Sequence, residues 1–562
     1  MITNNEKPEL IPIDSGFSVL YKGKFLYSKR SPQKNILQLI SSIIIQSETL
    51  VLCVSPVLGY GLKELLEKLP HNSFLLGLEA DEELMNLSTS QIDKTILEDT
   101  RFLYLRTESI NLLLSRLENF IKGKKIRRVV RIDFSGGAAL NQAFYSQAFD
   151  FISQYISQIW INRLTLIQFG RNYARNFFKN YYSIVKTNSH FGSLIEKSVR
   201  KPIIVVGAGP SLDSSIAFIK EDRDRLFVLA VDAALSGLYP EIRPDAVVLL
   251  ESQYWIQKAF IGIADLGIPI IADLTANPSL LATLNGDKAF FFTDYAAQDS
   301  LAGSFFSGLH KKNILPLRLE AMGSVGLSAL AVAERLAFGG LPIFHTGLDF
   351  SWGCGFSHSK LSYQVKNLFS DLSKIKGLYS GESLFPEKLI CEKGKDEASV
   401  FTSPNLKNYA ELYKKFFAFK ENFFDVGQSG LEINSKKINL NEAKKIIDDF
   451  YSSYEKSFFV NKNDDKINFI AFDYKNKEKE IKYFLTYEKE KLLKLKNIFT
   501  GKLNSSDEEI KELLLSMPYL YLHFPDYNSL SETILDKHFL SRVRIEIEYF
   551  LKTHLINENF IG

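Results

Sequence analysis

Residues Pro202 to Asp213 read PIIVVGAGPSLD. Ile203 to Val206 is a short, wholly apolar run of the kind that forms a strand covered on both faces. Gly207 and Gly209 follow as a tight turn, and a helix is expected to start near Ser211. Glycine lets backbone N–H groups approach a ligand with no Cβ in the way. A helix start just beyond carries partial positive charge and unpaired N–H donors. The turn reads as a seat for a phosphate or a nucleotide, with Pro210-Ser211 completing a compact anion nest. Leu212 stands where the dinucleotide fingerprint needs its third glycine, and the Gly-Lys-Ser/Thr of a P-loop is missing. The segment points to a nucleotide-binding α/β domain that is neither an ordinary NAD enzyme nor a P-loop NTPase.

Downstream, short apolar runs recur and end in acids. RLFVLAVDAAL ends at Asp232, PDAVVLLES at Glu251, IPIIADLT near Asp273, KAFFFTD at Asp294, and LPIFHTGLDFSW carries Gly347 and Asp349. In a parallel sheet ligands sit beyond the carboxyl ends of the strands, which is where Asp232, Glu251, Ser324 and Asp349 are expected. Asp232 lies about as far past the glycine turn as the ribose-binding acid of a Rossmann unit. It either accepts hydrogen bonds from ribose hydroxyls or caps the helix beginning at Ala233. Glu251 carries the same two readings. Gly323-Ser324 opens a second glycine-to-helix turn before an Ala-rich helix. Ser324 either caps that helix or donates to a phosphate from the opposite side of the crevice, and two such turns in one sheet favour the second reading. His358, in the loop GCGFSH after Asp349, is either a general base or an exposed loop histidine. His345 lies inside an apolar strand and reads as structural, and Cys354 as a small residue between glycines.

The flanks differ in character. Residues 1–192 give three strands alternating with helices, TLVLCV, SFLLGLEAD and RRVVRIDF, and then a helical connector, so a Rossmann-like domain is expected. Glu79 is either a ribose acid or a strand-end acid with no ligand, the second favoured. Arg171, Arg175 and Lys179 at helical spacing read either as a basic face for an acidic partner or as a solvated face, the second favoured. Residues 193–400 form the central parallel-sheet domain. Residues 401–562 lose the strand–helix alternation and read as a helical domain, with Lys475 to Lys496 as an exposed, ion-paired surface. A net charge of +3 gives no global drive toward nucleic acid or membrane. Three scattered cysteines form neither a disulfide framework nor a zinc spacing, no signal peptide is evident, and no run reaches the ~20 apolar residues of a membrane helix. A cytoplasmic protein is expected.

Taken together, VVGAGPSLD, VDAALSGLYPEIRPDAVVLLE, GSVGLSALAVAERLAFGG and IFHTGLDF followed by His358 resemble the motility-associated factor (Maf) proteins, bacterial flagellin glycosyltransferases. LGYGLKELLEKLPHNSFLLGLEAD, KFLYSKRSP, GRNYARNFFKNY and DVGQSGLEIN look like further signatures of that family, so the likeness runs to about residue 434. It implies a central GT-A/sialyltransferase-like domain that takes a nonulosonic acid, such as pseudaminic or legionaminic acid, from a CMP-sugar to Ser or Thr of flagellin, for flagellum assembly and motility. By motif, Gly207, Gly209, Pro210 and Ser211 would contact the nucleotide, with Asp232 where sialyltransferase-like domains place a polar nucleotide-binding residue; Glu251 joins them as a strand-end acid. Gly323 and Ser324 would face the phosphate or the sugar and Gly347 and Asp349 the cytidine end, and His358 matches a histidine often found after the Gly-x-Asp motif, a candidate general base for the acceptor hydroxyl. The implied partners are flagellin and the nucleotide sugar, with no metal and no cofactor beyond the CMP-nonulosonic acid donor. This chain has Ala208 where those nucleotide turns often have Asn, and Ser351-Trp352 where a phosphate-contacting Tyr is usual. The central domain also resembles the archaeal MptE-like hydroxymethylpterin pyrophosphokinases, which would need ATP and Mg²⁺. A non-catalytic flagellin-binding module is the remaining alternative.

Overall fold

The computed structural model describes residues 7–14, 16–186, 191–193, 196–295, 301–353, 355–375, 377, 389–454, 474–525 and 534–558. Cys354 lies outside them. The chain divides into two compact units, Met1–Phe169 with Leu522–Phe539, and Gly170–Tyr521 with Leu540–Gly562.

In the first unit β1 (Glu9–Ile13), β2 (Gly16–Tyr21) and β3 (Lys24–Phe25) make a small antiparallel sheet. β4 (Thr49–Val54), β5 (Phe74–Glu79), β6 (Phe102–Arg106) and β7 (Arg128–Asp133) make a parallel sheet in the order β6-β5-β4-β7. β4 is buried along its whole length, as a central strand covered on both faces must be. Sequence reading missed β6, a five-residue run whose exposed Arg106 and half-buried middle blur the apolar signal. Glu79 ends β5 fully buried. Its carboxylate accepts the Tyr145 hydroxyl at 2.8 Å, the Ser55 hydroxyl at 2.7 Å and the Asp81 amide at 3.1 Å. Those bonds satisfy it internally, so the ligand-free reading of this acid is the one the structure supports.

The second unit is built on a nine-stranded sheet. β8 (Phe191–Ser193) pairs with β13 (Lys288–Thr293), beside the path β14 (Leu317–Leu319), β13, β12 (Ile270–Asp273), β11 (Ala246–Leu249), β10 (Phe227–Val231), β9 (Ile203–Val206), β15 (Ile343–Thr346), β18 (Phe423–Asp425). Every pairing is parallel. The strand runs read from the sequence are therefore strands of one sheet, with their acids at the carboxyl ends. Helix Val325–Leu336 packs on β9, β10, β11 and β15, and its small residues, Gly326, Ser328, Ala329 and Ala331 among them, let it lie close to the strands.

The region after residue 400 is helical with one exception that matters. β18 adds to the edge of the central sheet beside β15, so the sheet itself crosses the boundary expected at 400. A hairpin of β16 (Ile390–Lys393) and β17 (Ser399–Thr402) precedes it. FFD is too short to show a period, and only the pairing with β15 defines it. The Lys/Glu-rich helix Tyr474–Phe499 is exposed only in part. Glu488 and Lys491 pair at 2.6 Å with side chains 3% and 8% exposed, and the Tyr519 hydroxyl donates to Glu488 at 2.9 Å. Among the described residues no helix is long and apolar enough to cross a membrane.

Candidate functional site

The chain leaves β9 toward β10 on one side and returns at β15 on the other. That reversal is the topological switch point, where open parallel sheets bind ligands. The glycine turn after β9 and the Gly347–Asp349 loop after β15 meet there. Gly207 N–H donates to the Thr346 carbonyl at 2.8 Å and Gly209 N–H to the Gly347 carbonyl at 2.8 Å. Ser211 N–H donates to Asp349 Oδ2 at 2.7 Å, and Gly347 N–H to Ser211 Oγ at 2.9 Å. A Cβ on Gly207 would stand 2.3 Å from the Gly347 carbonyl oxygen, and one on Gly347, whose φ is +69°, 2.2 Å from that of Gly207. These glycines let two loop backbones touch. The amides of Gly207, Gly209 and Ser211 are engaged by the neighbouring loop, so they do not form the open anion nest expected from the sequence.

Open donors lie at the second turn. Ser324 is the N-cap of helix Val325–Leu336, and its side chain makes no capping hydrogen bond. The first amide taken up there is that of Ser328, by the Ser324 carbonyl at 3.0 Å. Among the described residues nothing accepts from the amides of Val325, Gly326 and Leu327, the N–H groups that a helix start leaves. This helix start adjoins the switch point, since a Cβ on Gly326 would stand 2.5 Å from Leu348 Cδ2.

Asp232 and Glu251 follow the neighbouring strands β10 and β11. Asp232 is buried and accepts its neighbour Ala233's amide at 2.6 Å; burial first, with the nearby Glu251 adding, pushes its carboxyl up to about 7. Glu251 accepts the Gln253 amide at 2.8 Å. Tyr363 faces both acids, and burial together with their charges raises its hydroxyl to about 12. Asp349 is buried, and burial raises it to about 6 against the pull of the Lys395 charge. Its Oδ1 has no hydrogen-bond partner among the described residues.

A carboxyl raised on folding binds its proton more tightly in the native state. Its contribution to stability is complete below the ordinary carboxylate range and is lost as pH rises through the folded value. Asp232→Asn is therefore expected to gain stability relative to wild type between about pH 4 and pH 7. Urea unfolding at steps across that range checks it; parallel curves for the two proteins would show that Asp232 does not titrate there.

Two side chains that sequence reading passed over hold this end of the sheet. Asn176 Nδ2 donates to the carbonyls of Ser252 at 3.0 Å and Thr275 at 2.9 Å, and Asn180 Nδ2 to those of Leu274 at 2.8 Å and Ala276 at 2.9 Å. Both asparagines are buried on helix Gln142–Lys186 and pin the loops after β11 and β12. The basic side chains on that stretch, Arg171, Arg175 and Lys179, are half-buried rather than fully solvated. Arg171 Nε pairs with Glu546 at 2.8 Å, and burial lowers the Lys179 ammonium. Asn180→Leu leaves two buried carbonyls unpaired, so a loss of about 1–3 kcal/mol in unfolding free energy is expected by urea denaturation.

His358 sits beside the glycine turn. Ser359 N–H donates to the Ala208 carbonyl at 2.8 Å, and Ser359 Oγ to Asp213 Oδ1 at 2.5 Å. The His358 ring is half-buried, pairs through Nδ1 with Ser357 Oγ at 3.0 Å, and is held below its usual range by burial. It is therefore neutral at neutral pH, the form a base requires. His345 is fully buried and pairs through Nε2 with the Tyr413 hydroxyl at 2.7 Å. The structure thus gathers Gly207, Gly209, Pro210, Ser211, Gly347 and Asp349 at one point, with Gly323-Ser324 and His358 on its borders and Asp232 and Glu251 at the next strand ends. Among the described residues no group of three His, Cys, Asp or Glu side chains is placed to hold a metal ion.

Residues 175–354, which include this site, match the 6-hydroxymethylpterin diphosphokinase MptE-like family. An uncharacterized protein of Treponema pallidum (strain Nichols) is 38% identical over 551 residues, spanning 97% of this chain and 94% of that protein. The solved structure of a Maf glycosyltransferase from Magnetospirillum magneticum AMB-1 superposes with a TM-score of 0.57 at 14% identity, covering 99% of this chain and 93% of that one. The chain belongs to the family of the treponemal protein, and its fold is the Maf fold. Within the Maf fold the MptE-like segment carries β9 to β15 and ends in the loop after Gly347, so the switch point is built almost entirely within it.

Proposed function

We propose that this protein is a glycosyltransferase that moves a nonulosonic acid, pseudaminic or legionaminic, from a CMP-activated donor to Ser or Thr of flagellin in the cytoplasm, in support of flagellum assembly and motility. The observation that carries the reading is the pairing, at one switch point, of an uncapped helix start at Ser324 with a buried carboxyl at Asp349, in a chain of Maf fold. The Ser324 hydroxyl and the amides of Val325 to Leu327 hold the donor phosphate. Fixed donors of this kind stabilise the charge that develops on the departing CMP without a metal ion. Asp349 and the Gly347 loop meet the cytidine end, and Asp232 and Glu251 border the nucleotide. His358 takes the proton from the acceptor hydroxyl as that oxygen attacks the anomeric carbon from the face opposite CMP, so the transfer inverts configuration.

The test is the intact mass of flagellin incubated with the protein and CMP-pseudaminic or CMP-legionaminic acid. A mass increment of one nonulosonic acid per modified site is expected, and unchanged flagellin with both donors counts against the proposal. The match over residues 175–354 favours a second reading, an MptE-like pterin pyrophosphokinase. Calorimetric titration separates the two: CMP binding without ATP binding supports the transferase, and ATP binding alone supports the kinase.

A further inference from the structure

Two segments have no part in the chemistry above: DVGQSGLEIN, Asp425 to Asn434, and the charged run EKGKDE, Glu392 to Glu397. The fold brings them together beneath the switch point. Lys395 Nζ lies 2.6 Å from Asp425 Oδ2, with both side chains 1% exposed. Ser435 Oγ donates to that same oxygen at 2.8 Å. The other Asp425 oxygen accepts the Gly427 amide at 2.9 Å and stands 3.7 Å from Nδ1 of His345. Backbone bonds tie the same parts to the site. Lys395 N–H donates to the Gly430 carbonyl at 2.9 Å, and Leu431 N–H to the Asp349 carbonyl at 2.8 Å. A Cβ on Gly427 would stand 2.9 Å from Ser211 Oγ, and one on Gly430 2.8 Å from Asp349 Cα. Residues 425–431 are thus pressed between the Lys395 hairpin and the two residues, Ser211 and Asp349, that join the loops of the switch point.

A buried ion pair adds little net stability over apolar packing, but removing one partner leaves a strongly disfavoured lone charge. The groups facing Asp349 are Ser211 from the glycine turn, Lys395 from the hairpin and Asp425 from β18, with His345 of β15 and Tyr413 behind Asp425. Burial keeps His345 neutral, at about 4. Among the described residues Lys395 is therefore the cation that offsets the two carboxyls, and without it the charge left acting on Asp349 is that of Asp425.

We propose that Lys395, paired with Asp425, is a positioning residue of the donor site: it locks residues 425–431 against Ser211 and favours the carboxylate form of Asp349. The proposal rests on the reading of this crevice as the site of a cytidine nucleotide. It is tested on the full chain with Lys395→Met, Lys395→Arg and the double variant Lys395→Met/Asp425→Asn, which leaves no lone charge if the single variant fails to fold. Two readouts are taken from pH 5 to 9. One is CMP affinity by calorimetry; the other is the Asp349 carboxyl titration by carbon-13 NMR of ligand-free protein, assigned with Asp349→Asn. In Lys395→Met the Asp349 midpoint is expected to rise by about one pH unit, and CMP affinity to fall about twofold at pH 7 and about tenfold at pH 5, its pH profile displaced alike. Lys395→Arg restores both toward wild type, and the double variant lies between. Folded variants that keep the wild-type midpoint and CMP profile overturn the proposal. Wild-type protein that binds no CMP sinks the nucleotide reading alone, because the ligand-free titration still decides the role of Lys395.

Discussion

Gly347→Ala is expected to abolish CMP binding and to lower the unfolding free energy by about 2–5 kcal/mol. Two costs add at this position. The residue holds φ at +69°, where a Cβ clashes with its own backbone, and that Cβ would also stand 2.2 Å from the carbonyl oxygen of Gly207. The second clash is with main chain, so no side-chain rotation relieves it. Separating the loops instead stretches the Gly207, Gly209 and Ser211 bonds that join β9 to β15. Gly340→Ala is the internal control. Its φ is +77°, but nothing lies within 4 Å of the added Cβ. It carries the backbone strain alone, so a loss of about 1–2 kcal/mol is expected. Urea unfolding of both variants, with CMP calorimetry, measures the contribution of loop contact as the difference between them. Equal losses would mean that the two loops do not need to touch.

His358→Ala is expected to lower the rate of transfer to flagellin by about 10²–10⁴ while leaving CMP affinity within about twofold, as loss of a general base does. The wild-type rate should rise with pH through a midpoint below the usual histidine range, because burial disfavours the charged ring. At neutral pH the base is therefore already free, and the plateau should be reached there. The variant should lack that rising limb. Steady-state kinetics with a CMP-nonulosonic acid donor from pH 5 to 8 checks both points. A variant with wild-type rate and profile would leave His358 as a loop residue held beside the turn by Ser359.

Much of the framework was legible in the residues. Runs such as Ile203–Val206 and Phe227–Val231 are apolar throughout because parallel strands in the middle of a sheet meet packing on both faces. The acids that close them fall at the carboxyl ends because the chain leaves the core there. The two glycine-to-helix turns were legible for the same local reason. Their roles were not. Which amides of the Gly207 turn stay open depends on β15, some 140 residues away in sequence, and the sequence shows no mark of that contact. Lys395 reads as surface in a run of charges, yet it is buried against Asp425. Asn176 and Asn180 look like polar punctuation in a helix until the carbonyls they hold are seen.

The residues alone determined the α/β class, the parallel strands and the strand-end acids, since each follows from short-range rules of burial, period and turn chemistry. Tertiary structure decided which donors remain free, which carboxyls share a charge and where the switch point falls. Those properties belong to pairs of segments, and hydrogen bonds and Coulomb forces between distant residues exist only once strand order has brought them within a few ångströms.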